Sequence, residues 1–198
     1  MAAEPLTREQ ILVAAKEALR RYGPAKMTVL DVAQALGVSH GSVYRHFPTK
    51  AALRAAVVQQ DNELIERRLE AIAAEDGPAL DRLHRLLLTL GEFKQTFARE
   101  DPALFETYCR VGTDGPRVAS AHVELLLGLL DRVLAEGVAA GAIRPAAAAA
   151  GGRALFDATS RFHHPALHES WADPEIGADF ERVWLLLRDG LAVDPQAG

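Results

Sequence analysis

Three polar side chains in one short stretch could read the edges of DNA bases. Arg45 can donate two hydrogen bonds to the O6 and N7 atoms of guanine. His40 and Ser42 precede it, and a short helix would present all three to one side. We therefore predict that they read bases in the major groove. The alternative is that Arg45 contacts only the phosphate backbone, which receives most protein–DNA hydrogen bonds.

Four more positions in and around this helix have the chemistry of phosphate contacts or of close approach to DNA. Tyr44 and His46 flank the arginine and can donate hydrogen bonds to phosphate oxygens. Lys50 lies at a predicted helix N-terminus, which itself attracts anions. Gly41 has no side chain to hold the helix away from DNA. We assign these residues, with Ser39, to the DNA-binding surface.

The element that must position them is a helix, a tight turn and a second helix over residues 28–50. Thr28 and Ser39 can cap the two helices, and Gly37 tolerates the left-handed backbone at the first helix's end. Pro48 stops the second helix, and Thr49 can cap the next one. Two helices joined by such a turn form the helix-turn-helix, whose second helix enters the major groove.

The run AQALGVSHGSVYRHFPTKAAL resembles the signature of the tetracycline-repressor (TetR) family of bacterial transcription regulators. Gly23, five residues before Thr28, also agrees with the family pattern, and the resemblance covers residues 7–60. It implies that Thr28, Tyr44, His46 and Lys50 meet phosphates. His40 and Gly41 occupy positions that vary within the family, so the resemblance does not give the operator sequence. The matching residues are Thr28, Val32, Ala33, Leu36, Gly37, Val38, Ser39, Tyr44, His46, Phe47, Lys50 and Leu53.

Composition and periodicity predict an all-α chain with a three-helix head that contains the helix-turn-helix, and a helical body. Thr7 caps the first predicted helix, which ends at Gly23-Pro24. Residues 1–50 form the predicted DNA-binding domain and residues 51–198 the regulatory and dimerisation domain. The net charge is +3 in the first and −8 in the second, which keeps the attraction for phosphate local.

The body has apolar positions at helical spacing and no alternating strand pattern. A helix over 50–74 belongs to both domains, and Leu64 and Leu69 are predicted to lie on its body-facing side. A turn, TDGPR, separates the third and fourth body helices. The predicted body helices cover residues 50–74, 79–99, 101–111, 117–140, 146–162 and 173–191, with a loop over 163–172.

The resemblance further implies a homodimer, a palindromic double-stranded operator and a small-molecule effector. The last two helices, 146–162 and 173–191, would form the dimer interface, and the effector would lodge in the body and shift helix 50–74. The effector itself is unknown. Aromatic side chains that could line its pocket are Phe93, Phe97, Phe105, Tyr108, Phe156 and Trp184.

A helical metal-sensing or metal-binding protein is the alternative from a different class. Imidazole is the commonest transition-metal ligand, but the body histidines are spread over three elements. We expect no metal or cofactor, and keep as weak candidate ligands Asp81, His84, His122, His163, His164 and His168. The end of a helix at FHHP explains two of these histidines without a metal.

The remaining features favour a transcription regulator over an enzyme. None of HExxH, the P-loop or GxGxxG occurs, so we expect no catalytic residues. A single cysteine, Cys109, excludes an internal disulfide and suits the reducing cytoplasm. No signal peptide or membrane-spanning stretch is visible, so we expect a cytoplasmic protein with no membrane partner.

Overall fold

The computed structural model describes residues 5–114 and 116–193, and it describes no side chain within 112–119. Helices account for the regular structure of the described residues, apart from a single β-bridge between Ile143 and Ala192, so the predicted all-α class is confirmed. The helices are α1 Arg8–Lys26, α2 Val29–Ala35, α3 His40–His46, α4 Lys50–Ala74, α5 Ala79–Glu100, α6 Pro102–Asp114, α7 Pro116–Ala139, α8 Pro145–Ala148, α9 Gly151–Ala158, α10 Ser160–His163, a 3-10 helix Pro165–Ala172, and α11 Ile176–Leu191.

The chain divides into two compact units. Unit 1 comprises residues up to 63 together with 99–120, and unit 2 comprises residues 64–98 and those from 121 onward. Helices α4, α5 and α7 therefore each contribute residues to both units. This division into units does not test the domain boundary predicted near residue 50, which stays a prediction.

Local capping fixes the start of unit 1. The Thr7 hydroxyl accepts from the backbone N–H of Gln10, whose side chain accepts from the Thr7 N–H, so both members of a capping box are present. Gly23 has a φ of 74° and interrupts α1 where the sequence predicted its end. Helix α6 packs on α1 within this unit, and Arg20 Nε donates to Asp101 Oδ2 over 2.8 Å.

Unit 2 is built around a core of leucines and aromatic rings. Leu83, Leu87 and Leu90 of α5 recur at helical spacing, are buried, and belong to one core cluster with residues of α7 and the C-terminal helices. Leu69 of α4 is 1% exposed and joins this core, as predicted. Leu64 is 57% exposed, so its predicted position on the inner side of α4 is wrong. Five residues separate it from Leu69, which is a full helical turn plus about 140°. The two side chains therefore lie on different sides of α4.

The single helix predicted over 146–162 is wrong: α8, α9 and α10 replace it. Gly151 adopts a φ of 73°, which breaks the first junction. At the second, the Thr159 hydroxyl donates to the carbonyl of Leu155 over 2.8 Å, and the Thr159 backbone leaves the helical region.

The predicted loop over 163–172 and the helix start at Asp173 also need correction. Residues Pro165–Ala172 form a 3-10 helix, and α11 begins at Ile176. The backbone N–H of Glu175 donates to Asp173 Oδ1 over 2.9 Å, and this local turn uses the residues that the prediction placed in the helix. Residues 1–4 of the predicted N-terminal tail and Gly115 of the predicted TDGPR turn lie outside the described residues.

Gly152 lets α9 approach α7 closely. A Cβ at this position would lie 2.7 Å from Leu130 Cβ and 3.0 Å from the Leu127 carbonyl oxygen. The Gly152 N–H also donates to Asp131 Oδ1 over 2.6 Å.

Gly152→Ala is expected to lower the free energy of unfolding by about 1–3 kcal/mol, because the added methyl group overpacks this contact. Gly128 on α7 is the matched control, since nothing lies within 4 Å of a Cβ there. Gly128→Ala should leave stability unchanged or raise it by about 0.5–1 kcal/mol. Urea unfolding followed by circular dichroism compares the two, and equal midpoints would contradict the close approach.

Candidate nucleic-acid interface

The predicted helix-turn-helix forms with the predicted caps. The Thr28 hydroxyl accepts from the backbone N–H of Asp31 at the start of α2. Gly37 takes a φ of 65° in the turn. The Ser39 hydroxyl then accepts from the backbone N–H of Ser42 at the start of α3. Local hydrogen bonds therefore set the geometry of the motif that the sequence predicted.

Helix α3 has one buried side and one exposed side. Val43 is 0% and Phe47 1% exposed, and they anchor the helix to the core of unit 1. The guanidinium carbon of Arg8 lies 4.3 Å from the centre of the Phe47 ring, a cation–π contact that sequence reasoning missed. The opposite side holds the predicted base-contacting surface, where His40 and Arg45 are exposed.

Two of the predicted base readers, Ser42 and Arg45, are joined by a hydrogen bond. Ser39 Oγ and Ser42 Oγ share a hydrogen bond of 2.9 Å, and Arg45 Nη2 donates to Ser42 Oγ over 3.3 Å. Ser42 thus holds the arginine in place as well as facing outward. Ser39, Ser42 and Arg45 follow one another at intervals of three residues, so their contacts could have been predicted from helix geometry.

Tyr44 and His46 are the predicted phosphate contacts on α3. Tyr44 is 44% exposed, and its ring meets His40 edge-on with ring centres 6.1 Å apart. His46 is half-buried and Gly41 is exposed. A tyrosine hydroxyl fixed beside an exposed helix is well placed to donate to a phosphate oxygen.

Thr28 has a structural partner in addition to its predicted role. Its hydroxyl and its backbone N–H each lie 2.7 Å from Asp31 Oδ2. These hydrogen bonds, with a smaller contribution from the charge of Lys50, lower the pKa of Asp31. An ionised carboxylate at the first turn of α2 complements the positive end of that helix.

Lys50 ties the start of α4 to the end of α1. Its Nζ donates to the Ala25 carbonyl oxygen over 2.9 Å, which leaves two of its three N–H groups for phosphate. Burial and then the charge of Arg54 lower its pKa, and Asp31 opposes them. The anchoring role was not predicted, because Ala25 and Lys50 are 25 residues apart.

The aromatic residues predicted to line one pocket are divided between the units. Phe105 and Tyr108 lie in unit 1, with ring centres 6.1 Å apart. In unit 2, the Phe93 and Phe97 rings are 6.3 Å apart and the Trp184 ring packs on His84. Only Phe156 lines the apolar cavity found among the described residues of unit 2, whose other lining residues are Leu69, Leu86, Leu87, Leu90, Leu126, Leu129 and Leu130.

The weak metal-ligand candidates do not converge. Among the described residues, no three histidine, cysteine, aspartate or glutamate side chains are placed to hold one metal ion. His84 Nε2 lies 3.0 Å from Glu181, while His164 and His168 bond to nearby backbone groups. Asp81 is exposed.

His122 and His163 are buried in unit 2, and burial lowers the pKa of His122 to about 3 and that of His163 to about 4. Lys94 and Glu66 lie with them, and sequence reasoning missed both. The sequence does contain a signal for Lys94. It lies four residues after Leu90, at a position of α5 where helical spacing predicts a buried residue.

An exposed recognition helix held by a capped turn and two buried anchors defines a helix-turn-helix DNA-binding protein. Comparison with known proteins agrees at both ends of the chain. Residues 11–57 match the profile described as "Bacterial regulatory proteins, tetR family", and residues 79–184 match "Tetracyclin repressor-like, C-terminal domain". The chain belongs to the TetR family of transcription regulators, which confirms the resemblance.

Two curated relatives illustrate the sequence similarity. The nucleoid occlusion factor SlmA of Aliivibrio fischeri is 33% identical over 102 residues, covering 51% of this chain and 50% of that protein. The HTH-type transcriptional repressor Rv3405c of Mycobacterium tuberculosis is 34% identical over 122 residues, covering 57% of this chain and 65% of that protein. The chain therefore spans about half the length of the curated relatives it matches first.

Solved structures share the fold over nearly the whole chain. FadR of Bacillus subtilis, in complex with stearoyl-CoA, has a TM-score of 0.67 at 18% identity, covering 93% of this chain and 99% of that one. SmeT, the repressor of a multidrug efflux pump of Stenotrophomonas maltophilia, has a TM-score of 0.66 at 21% identity, covering 96% and 92%. At these identities the likeness shows the fold alone. In the part of the chain that the structure describes, no helix is long and apolar enough to cross a membrane.

Proposed function

We propose that this protein is a homodimeric repressor that binds a palindromic DNA operator and leaves it when a small molecule enters unit 2. The observation that carries DNA binding is the surface of α3, where Tyr44 and Arg45 are exposed over the buried anchors Val43 and Phe47. TetR-family regulators bind DNA, usually as dimers and with ligands. This role places the protein at DNA in the cytoplasm and requires no catalytic residue.

The surface of α11 supports the dimer. Leu186 is 77% and Leu185 47% exposed on a helix whose other side, with Phe180 and Trp184, is buried in the core of unit 2. Exposed leucines next to each other on one helix favour contact with a second copy, because a symmetric dimer buries the same patch on both subunits. The resemblance implied the same helix.

An effector within unit 2 is supported by a cavity and by the fold's likeness to a protein solved with a ligand. The cavity is lined entirely by leucines and Phe156. The Bacillus subtilis FadR structure contains stearoyl-CoA. An apolar or amphipathic small molecule is therefore the effector class that we propose.

Selection of bound duplexes from a random DNA library tests the DNA-binding proposal. The purified full chain should enrich an inverted repeat, because two-fold symmetry presents two α3 helices in opposite orientations. The half-site centres should lie about 34–36 Å apart or a multiple of that. Enrichment of a single half-site, or of no sequence, would contradict the proposal.

Leu186→Glu is expected to convert the dimer into a monomer, since it places two charges in the proposed interface. The mass measured by light scattering at micromolar concentration should fall from twice the chain mass in wild type to the chain mass of 21.4 kDa in the variant. Leu64→Glu is the control, because Leu64 is also a largely exposed leucine but lies on α4. A dimer that survives Leu186→Glu, or a wild-type monomer, would refute the assigned interface.

A further inference from the structure

Unit 2 contains a buried polar cluster that the DNA-binding role does not use. It consists of Glu66, Lys94, His122, Thr159 and His163. Lys94 is 2% exposed and His122 4%, and Thr159 and His163 are as deeply buried. Charged and polar side chains are seldom buried together in this way unless they have a structural or binding role.

The cluster lies one helical turn from the apolar cavity on each contributing helix. Lys94 follows the cavity residue Leu90 by four positions on α5, and His122 precedes Leu126 by four on α7. The ring of His163 packs on that of Phe156 with centres 4.4 Å apart. On α4, Glu66 stands three residues before Leu69. Polar side chains therefore lie about one helical turn from the cavity lining on α4, α5 and α7.

The hydrogen bonds of His122 fix which of its nitrogens carries the proton. Its Nδ1 lies 2.7 Å from Glu66 Oε1. Burial lowers the pKa of His122 to about 3, and the charge of Lys94 acts in the same direction. The neutral ring therefore donates from Nδ1–H to the Glu66 carboxylate, and Nε2 carries a lone pair that can only accept.

That acceptor has no partner. Nε2 of His122 is buried and makes no hydrogen bond to any of the described residues. Leaving a buried acceptor unpaired is unfavourable, so a ligand that supplies a donor at this place gains a hydrogen bond without displacing one.

We infer that the effector is a largely apolar molecule bearing a hydroxyl group, whose O–H donates to His122 Nε2 while its apolar part occupies the leucine-lined cavity. This inference rests on the proposed function, since it names the ligand class of that regulatory site. A hydroxyl suits the site better than an ammonium group, because it donates to Nε2 without bringing a further charge into a buried site that already contains Lys94 and Glu66.

The cavity must enlarge to receive such a molecule. Its volume is about 10 Å³, room for roughly one water molecule, whereas pockets for small molecules measure about 300–1,000 Å³. The ligand therefore binds a more open arrangement of the leucines, and this difference between the two arrangements is what allows binding to shift a conformational equilibrium.

Calorimetric titration of the full chain with 4-pentylphenol and with pentylbenzene tests the inference. The two probes share an apolar body and differ by the hydroxyl. Wild type should prefer the phenol by about tenfold or more, the value of one buried hydrogen bond. His122→Leu should remove that preference, while His122→Gln, which keeps a polar side chain of similar length, should retain part of it and serves if the leucine variant does not fold.

Equal affinities for the two probes in wild type, or no binding of the phenol, would overturn the inference. So would a preference that survives in His122→Leu. Operator binding by the same preparations separates this result from the proposed function. If other compounds release the operator and the His122 variants respond like wild type, the inferred ligand class is wrong and the proposed function stands. Phenol binding without operator release would leave the site intact and refute the regulatory role.

Discussion

Replacing Arg45 by alanine is expected to remove discrimination at one base pair in each half-site while leaving affinity for random DNA nearly unchanged. Arg45 is exposed on α3, and its Nη2 donates a hydrogen bond to Ser42 Oγ over 3.3 Å. A bidentate contact to guanine discriminates by about 1–3 kcal/mol, and a dimer makes it twice, so specific binding should weaken by at least about 30-fold. Titrations of the selected operator and of a scrambled duplex at one salt concentration measure the difference.

Two further variants decide whether Arg45 reads a base. Arg45→Lys keeps the charge but loses the planar pair of donors, so it should behave like alanine on the operator. Lys50→Ala should instead weaken both duplexes alike and reduce the slope of log affinity against log salt by up to about 1.8 units in a dimer. Equal weakening of both duplexes by Arg45→Ala would show that Arg45 contacts only the backbone.

The helix-turn-helix could be predicted closely because its determinants are local. Thr28, Ser39 and Thr49 each accept a backbone N–H three residues ahead, and Gly37 takes the left-handed conformation that the pattern required. Such interactions are encoded within four or five residues. They do not depend on which helices later pack together.

The breaks between α8, α9 and α10 could not be predicted in the same way. A glycine pair weakens a helix intrinsically, but the positive φ at Gly151 accompanies the close approach of Gly152 to Leu130. That contact joins residues far apart in sequence. Thr159 is similar, since its backbone leaves the helical region beside the buried His163.

The candidate site in unit 2 depends even more on tertiary contacts. The sequence makes His122 and His163 no more than weak candidate metal ligands, on the basis of histidine type alone. Their actual partners, Glu66 and the Phe156 carbonyl, lie on other helices or across a helix break. Of the six aromatic residues predicted for a pocket, Phe156 lines the leucine-rich cavity described in unit 2, since periodicity indicates burial and does not indicate which buried residues surround a void.

Leu69→Trp is expected to abolish most of the release of operator by an effector. Leu69 is 1% exposed and lines the cavity in the part of α4 that belongs to unit 2, whereas α4 begins at Lys50 in unit 1. An indole there would fill the space that a ligand needs. Allosteric couplings are typically about 5–150-fold, and the variant should lose most of that factor.

The measurement is operator affinity with and without a compound that releases the wild-type protein. Leu64→Trp is the matched control, since Leu64 is an exposed leucine five residues earlier on the same helix, and it should respond like wild type. A ligand can release DNA only through its different affinities for two states, so blocking its site must reduce the response. If Leu69→Trp instead lowers operator affinity and keeps the same fold-release, α4 is a structural strut. The response must then pass through α5 or α7, which also contribute residues to both units.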